Sequence, residues 1–137
     1  MSQYLFVYGT LCRNAGHPMH RLLLRHAEFV GEGHFIGRLF RVGPYPGAMT
    51  SPDPKDKVFG ELYRLRSPQQ LLSRLDAYEG CAPSDPPPQQ FVRRRLRVHL
   101  DSGAEKMAWV YLLNRVTPRL PRIASGRFVA SETENRK

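Results

Sequence analysis

The 137 residues carry a formal net charge of +9 and 41% hydrophobic side chains, enough apolar material for one domain that buries roughly two-thirds of its unfolded surface, with no length left for a second. No apolar run approaches the roughly 18 residues of a membrane span, and Met1-Ser2-Gln3-Tyr4 lacks the charged start and apolar stretch of a secretion signal. A cytoplasmic protein with no membrane partner is expected. Cys12 and Cys81 form no CxxC pair, and His17, His20, His26, His34 and His99 form no HExxH pattern. This argues against a disulfide framework and against any metal site, and leaves both cysteines as buried or half-buried filler.

In chain order, residues 3–9 read as a first strand, rich in aromatic and branched side chains, that runs into Tyr8-Gly9-Thr10-Leu11. If the strand stops there, successive N–H groups of Gly9, Thr10 and Leu11 can face a cavity and form a nest for an anion; an ordinary strand end also suits Gly9. A short helix follows, with Pro18 in its first turn and Met19, Leu22, Leu23 and His26 on one side. Gly31, Gly33 and Gly37 punctuate two short extended stretches, 28–33 and 35–42, and suggest the corners of a barrel or close backbone approach. Pro44-Tyr45-Pro46-Gly47 and Asp53-Pro54-Lys55-Asp56 read as turns or loops, the second leading into a strand over 58–65.

The clearest helix begins at Ser67-Pro68-Gln69-Gln70, where Ser67 and Gln70 can form a capping box around Pro68, and ends at Gly80. On its wheel Leu71, Leu75 and Leu72 lie at about 0°, about 40° and about 100°, and Tyr78 at about 340°. Glu79 falls at about 80°, inside that stripe, while Asp76 sits on its edge at about 140°. A carboxylate among leucines at a helix C-terminus is disfavoured as an anion by desolvation and by the dipole. Its pKa therefore rises toward the range useful for general acid and base work. The same position also suits a last-turn side chain that bends to solvent as the helix frays.

Beyond the helix, residues 82–88 form a proline-stiffened loop, either a cavity rim or a connector. Residues 91–100 alternate Val92, Leu96, Val98 and Leu100 on one face with Arg93, Arg95, Arg97 and His99 on the other, as in a half-buried strand with a solvated basic face. No aromatic residue interleaves these arginines to stack bases. Only weak, sequence-blind attraction to polyanions is expected, with no specific nucleic-acid partner.

Tyr8-Gly9-Thr10-Leu11 and Leu75-Asp76-Ala77-Tyr78-Glu79-Gly80 resemble the YGTL and LDxxEG signatures of the gamma-glutamylcyclotransferase-like family, which includes AIG2-like and gamma-glutamylamine cyclotransferase branches. Tyr45-Pro46-Gly47-Ala48, Gly60-Glu61-Leu62-Tyr63 and Ala108-Trp109-Val110-Tyr111 resemble further family segments, the last being a late strand that carries a site tyrosine. Residues 123–128 are similar to its terminal IxSGDW-like segment, although Arg127-Phe128 replaces the Asp-Trp pair and Phe91 stands where relatives often have tyrosine. Both departures bear on specificity more than on fold.

The resemblance implies an α+β domain over residues 1–130, a small, mostly antiparallel β-barrel flanked by helices with a cavity inside one end, followed by a polar C-terminal tail at 131–137. It implies a cofactor-free gamma-glutamyl cyclotransferase, of transferase or lyase type. The substrate's α-amine attacks its own γ-carbonyl, forming 5-oxoproline and releasing an amine or amino acid. Glu79 then maps onto the catalytic acid/base, Gly9, Thr10 and Leu11 hold the glutamyl part, and Tyr8 and Tyr111 serve as wall or hydrogen-bond residues. Asp76 reads as structural, bonding backbone groups nearby. Gamma-glutamyl amino acids, gamma-glutamyl-lysine crosslinks and other gamma-glutamyl amines all satisfy this reading. The alternatives are a non-catalytic pocket protein that binds an acidic metabolite, and a polyanion-binding domain using Arg93, Arg94, Arg95 and Arg97.

Overall fold

Alternation in the first strand divides the core in two. In β1 (Gln3–Val7), Leu5 and Val7 pack with the leucines of both helices, whereas Phe6, like Tyr8 just beyond it, packs only with residues from other strands and their connections. A strand buried on both faces must have sheet curling round one side and helices covering the other. The computed structural model describes residues 3–9, 11–13, 18–42, 45–81, 90–114 and 119–128, and its elements satisfy that requirement. After β1 come α1 (Met19–His26), β2 (Ala27–Val42), β3 (Tyr45–Thr50), β4 (Lys57–Leu65), α2 (Pro68–Glu79), β5 (Phe91–Leu100), β6 (Glu105–Leu113) and β7 (Arg122–Ile123).

The strands pair in the order β2-β4-β1-β6-β5, and β5 returns to β2, which closes a barrel. Four of its seams are antiparallel. The seam between β1 and β6 is parallel, with Leu5 opposite Trp109. Tyr8 at the end of β1 and Tyr111 near the end of β6 therefore arrive at the same rim. Antiparallel pairing of β5 with β6, Phe91 opposite Leu113, brings the start of β5 there as well.

Two expectations are corrected. The glycine-punctuated segment is one continuous 16-residue strand, which pairs with β4 over its first part and with β3 and β7 over its second, with an irregularity between Phe29 and Gly31. Gly33 lies where β5 crosses it; a Cβ there would sit 2.3 Å from the His99 carbonyl oxygen, so bare backbone is what allows this seam to close. Tyr45-Pro46-Gly47 is likewise the start of strand β3 and not a loop, because Pro46 and Gly47 face Arg41 and Phe40 on the edge of β2, where proline is tolerated.

Helix α2 starts with Pro68 at its first turn, but Ser67 makes no side-chain cap bond, so the capping box is absent. The helix is held by its apolar stripe instead, with Leu71, Leu72 and Leu75 buried against the barrel wall. At its other end Gly80 takes the left-handed conformation (φ 76°, ψ 28°). The N–H groups of Gly80 and Cys81 return to the carbonyls of Ala77 and Asp76 at 3.3 and 2.9 Å, the two bonds of a Schellman closure. No helix among the described residues is long and apolar enough to cross a membrane. The tail 131–137 and the loop 82–88 lie outside the described residues.

Replacing Gly33 with valine should lower stability by about 1–3 kcal/mol, the usual cost of forcing atoms into a packed contact, visible as a lower urea midpoint. A wild-type midpoint would contradict closure of the barrel at this seam.

Candidate active site

Five chain segments end at one rim, and between them lies a cavity of about 210 Å³. Phe6, Val7, Tyr8, Gly9 and Leu11 line it from β1 and the following turn, Tyr45 and Pro46 from β3, and Tyr78 and Glu79 from the last turn of α2. Gln90, Phe91 and Tyr111 complete the wall from β5 and β6. The cavity thus joins the turn after the first strand to the glutamate that ends the helix. Thr10 lies outside the described residues.

The turn is fastened from below. Cys12 N–H donates to the Gly9 carbonyl at 3.0 Å, and a ring nitrogen of His20 lies 2.8 Å from the Leu11 carbonyl oxygen. Arg13 donates to the Glu61 carboxylate twice, from its backbone N–H at 3.0 Å and its Nε at 3.2 Å, while the Tyr63 hydroxyl donates to the same carboxylate at 3.0 Å. Glu61 is only 6% exposed, so breaking this set would strand a buried charge. The reading of the sequence missed its role, although an acid two residues before a tyrosine in an apolar strand was the available signal. Above the turn, a Cβ on Gly9 would meet the Pro46 ring at 2.6 Å. The absence of a side chain there is what lets β3 approach and narrow the cavity.

The Tyr8 hydroxyl crosses the barrel interior, donating to the Tyr111 carbonyl at 2.5 Å and accepting from Ala48 N–H at 3.2 Å. Burial, and then the nearby Glu79 charge, push its pKa well above the usual phenol range. Tyr8 is therefore a neutral brace that ties β1, β3 and β6 together at the rim. Tyr111 faces the other way: its hydroxyl donates to Asp76 Oδ1 at 2.6 Å, and burial followed by this bond raises its pKa far above the ordinary value as well.

Asp76 and Glu79 are one helical turn apart and meet opposite environments. Arg93 grips Asp76 with both arms of its guanidinium, Nε to Oδ1 at 2.8 Å and Nη2 to Oδ2 at 3.0 Å. Asp76 thus bonds side chains from β5 and β6, where the sequence suggested nearby backbone groups. Arg93 is correspondingly removed from the solvated basic face and lies over the Trp109 ring, 4.3 Å from its centre. Pairing of β5 with β6 sets Trp109 opposite Arg95 as well, an aromatic neighbour that the linear pattern of the arginines could not reveal. Arg97 pairs with Glu105 at 2.9 Å. Glu79 is half-buried. Burial first and the Asp76 charge second push its pKa up from the ordinary carboxylate value to about 7.

A family model described as gamma-glutamyl cyclotransferase, AIG2-like, matches residues 5–130. The chain belongs to this family. Among similar proteins, one from Methanocaldococcus jannaschii, provisionally named a gamma-glutamylcyclotransferase, is 29% identical over 112 residues, covering 80% of this chain and 82% of its own. The crystal structure of an AIG2-like protein from Mus musculus is 30% identical with a TM-score of 0.67, over 88% of this chain and 85% of that one. YkqA from Bacillus subtilis is 25% identical with a TM-score of 0.69 over 93% of this chain, which spans only 40% of the YkqA chain. These neighbours share the barrel flanked by helices that positions the cavity, and the family supports gamma-glutamylcyclotransferase activity in general terms.

A carboxyl whose pKa in the folded chain is about 7 against 4.5 when unfolded binds its proton more tightly in the folded state. The stability this contributes is complete below about 4.5 and disappears as pH rises through about 7. Thermal melts of wild type and Glu79→Gln should therefore diverge over that interval, wild type losing ground as Glu79 ionises. Parallel curves would show that Glu79 titrates as an ordinary exposed carboxylate.

Proposed function

We propose that this member of the family is a gamma-glutamyl cyclotransferase that converts a gamma-glutamyl compound into 5-oxoproline and a free amine or amino acid without a cofactor. The observation that carries the reading is that the Glu79 carboxyl, with its pKa near 7, opens into the same cavity as the Tyr8-Gly9 turn. The substrate brings its own nucleophile, so the protein has three tasks: to fold the glutamyl chain, to take a proton from the α-ammonium and to return one to the departing nitrogen.

The proposed course is balanced with one side chain. Ionised Glu79 accepts a proton from the α-ammonium, and the freed amine attacks the γ-carbonyl carbon, forming the ring N–C bond. As the tetrahedral centre collapses, the bond to the leaving nitrogen breaks and protonated Glu79 supplies a proton to that nitrogen; Glu79, ionised again, then takes the second proton from the ring nitrogen and passes it to the released amine, which departs as an ammonium. A group with a pKa near the working pH is ionised often enough for the first step and acidic enough for the last. Gly9, Thr10 and Leu11 hold the α-carboxylate through backbone N–H groups, while Tyr8 and Tyr111 form the wall against which the chain folds. Tyr45 and Tyr78, 50% and 37% exposed, flank the opening through which the leaving amine departs.

Purified protein incubated with a panel of gamma-glutamyl amino acids and gamma-glutamyl amines should release 5-oxoproline from at least one of them, measured by mass spectrometry. Turnover should rise with pH through about 7 as Glu79 ionises. Glu79→Gln should stay folded, still bind substrate and turn over at least about 100-fold more slowly, the scale of losing a positioned acid/base. Binding of gamma-glutamyl compounds without any product would favour the pocket-protein reading. Equal rates for wild type and Glu79→Gln would assign the proton transfer to another group.

A further inference from the structure

Polar groups from four strands and its own helix surround Glu79; Tyr45 of β3 and Gln90 just before β5 line the cavity with it. Tyr8 from the end of β1 and Tyr111 of β6 line the cavity with it; both phenols stay neutral across the working range, held so by burial. Asp76 stands one turn earlier on α2, the spacing at which helical side chains are neighbours. Arg93 of β5 lies beyond, bound to Asp76 by two parallel hydrogen bonds and stacked on Trp109. Tyr78 and Cys81 are the other titratable side chains beside Glu79 in the chain. Among the described residues, Asp76 is the anion whose charge acts on Glu79, and Arg93 is the cation bound to that anion.

We propose that the Asp76–Arg93 pair is the positioning unit of this site: it fixes a full negative charge one helical turn from the Glu79 carboxyl, partly offset by Arg93, and so sets the pH range over which Glu79 exchanges its proton. The geometry supplies what this requires. A two-armed bond orients the Asp76 carboxylate. The Tyr111 hydroxyl at 2.6 Å closes its remaining side, and the Trp109 ring fixes the plane of the guanidinium. Asp76 touches no part of the cavity wall; it acts through Glu79. The inference rests on the proposed role of Glu79, but its test does not depend on turnover.

In protein labelled with 13C at glutamate side-chain carboxyls, the resonance absent from Glu79→Gln reports the titration of Glu79 directly. Asp76→Asn removes the anion and leaves Arg93 uncompensated, so the Glu79 midpoint should move down by on the order of half a pH unit or more. Arg93→Gln removes the cation and should move it up. Asp76→Asn combined with Arg93→Gln should fall between the two, and Arg93→Lys, which keeps the charge without the fork, should stay near wild type. A purely structural pair would leave the midpoint in place, or move it the same way in both single variants, and either result overturns the proposal. If Asp76→Asn fails to fold by near-ultraviolet circular dichroism, the contrast between Arg93→Gln and Arg93→Lys decides alone. Opposite shifts in a protein that makes no 5-oxoproline would uphold this coupling while removing the cyclotransferase reading.

Discussion

The parallel pairing of β1 with β6 is the constraint on which the site depends. In an otherwise antiparallel barrel, neighbouring strands end at opposite rims, and a residue after one strand would face the start of the next. One parallel seam changes this for two strands. Tyr8 and Tyr111 come to the same rim, close enough for the Tyr8 hydroxyl to reach the Tyr111 carbonyl. Antiparallel partners on either side then bring the start of β5 to that rim and set Glu61 of β4 beside Val7. Glu61 ties down the turn that follows β1. The helix packed on the outer wall by Leu71, Leu72 and Leu75 finishes beside this opening and delivers Glu79 to it.

The proposed chemistry rests on a contrast between two acids of one helical turn. Asp76 receives a guanidinium and a phenol. Glu79 receives burial and the field of Asp76, and its proton is held to about pH 7. The expense of that raised pKa is stability at neutral pH.

Much of this was legible in the chain. The helix over 68–79, its apolar stripe, the left-handed stop at Gly80 and the place of Glu79 within the stripe follow from periodicity and glycine chemistry, because those are local properties. The strands at 58–65 and 91–100 were likewise visible from alternation. What escaped was set by pairing. Pro46 and Gly47 look like a turn until an edge of β2 supplies their ladder, and the glycines of β2 look like breaks until β5 is seen crossing at Gly33. Arg93 looks like any arginine on a solvated face; only the packing of α2 over β5 and β6 brings Asp76 to it. Ser67 shows the opposite failure, a local cap signal that the packed helix does not use.

The central claim is that the turn after β1 holds the substrate's carboxylate while Glu79 reaches its α-nitrogen. A crystal structure of the complex with an analogue in which the α-amine is replaced by hydrogen, and which therefore binds without cyclising, tests this most directly. The account predicts the analogue's α-carboxylate on the N–H groups of the Gly9–Leu11 turn, and the Glu79 carboxyl within about 3 Å, or one water, of where the amine would stand. An analogue bound with its carboxylate elsewhere, or a Glu79 side chain turned out of the cavity in the complex, would contradict it.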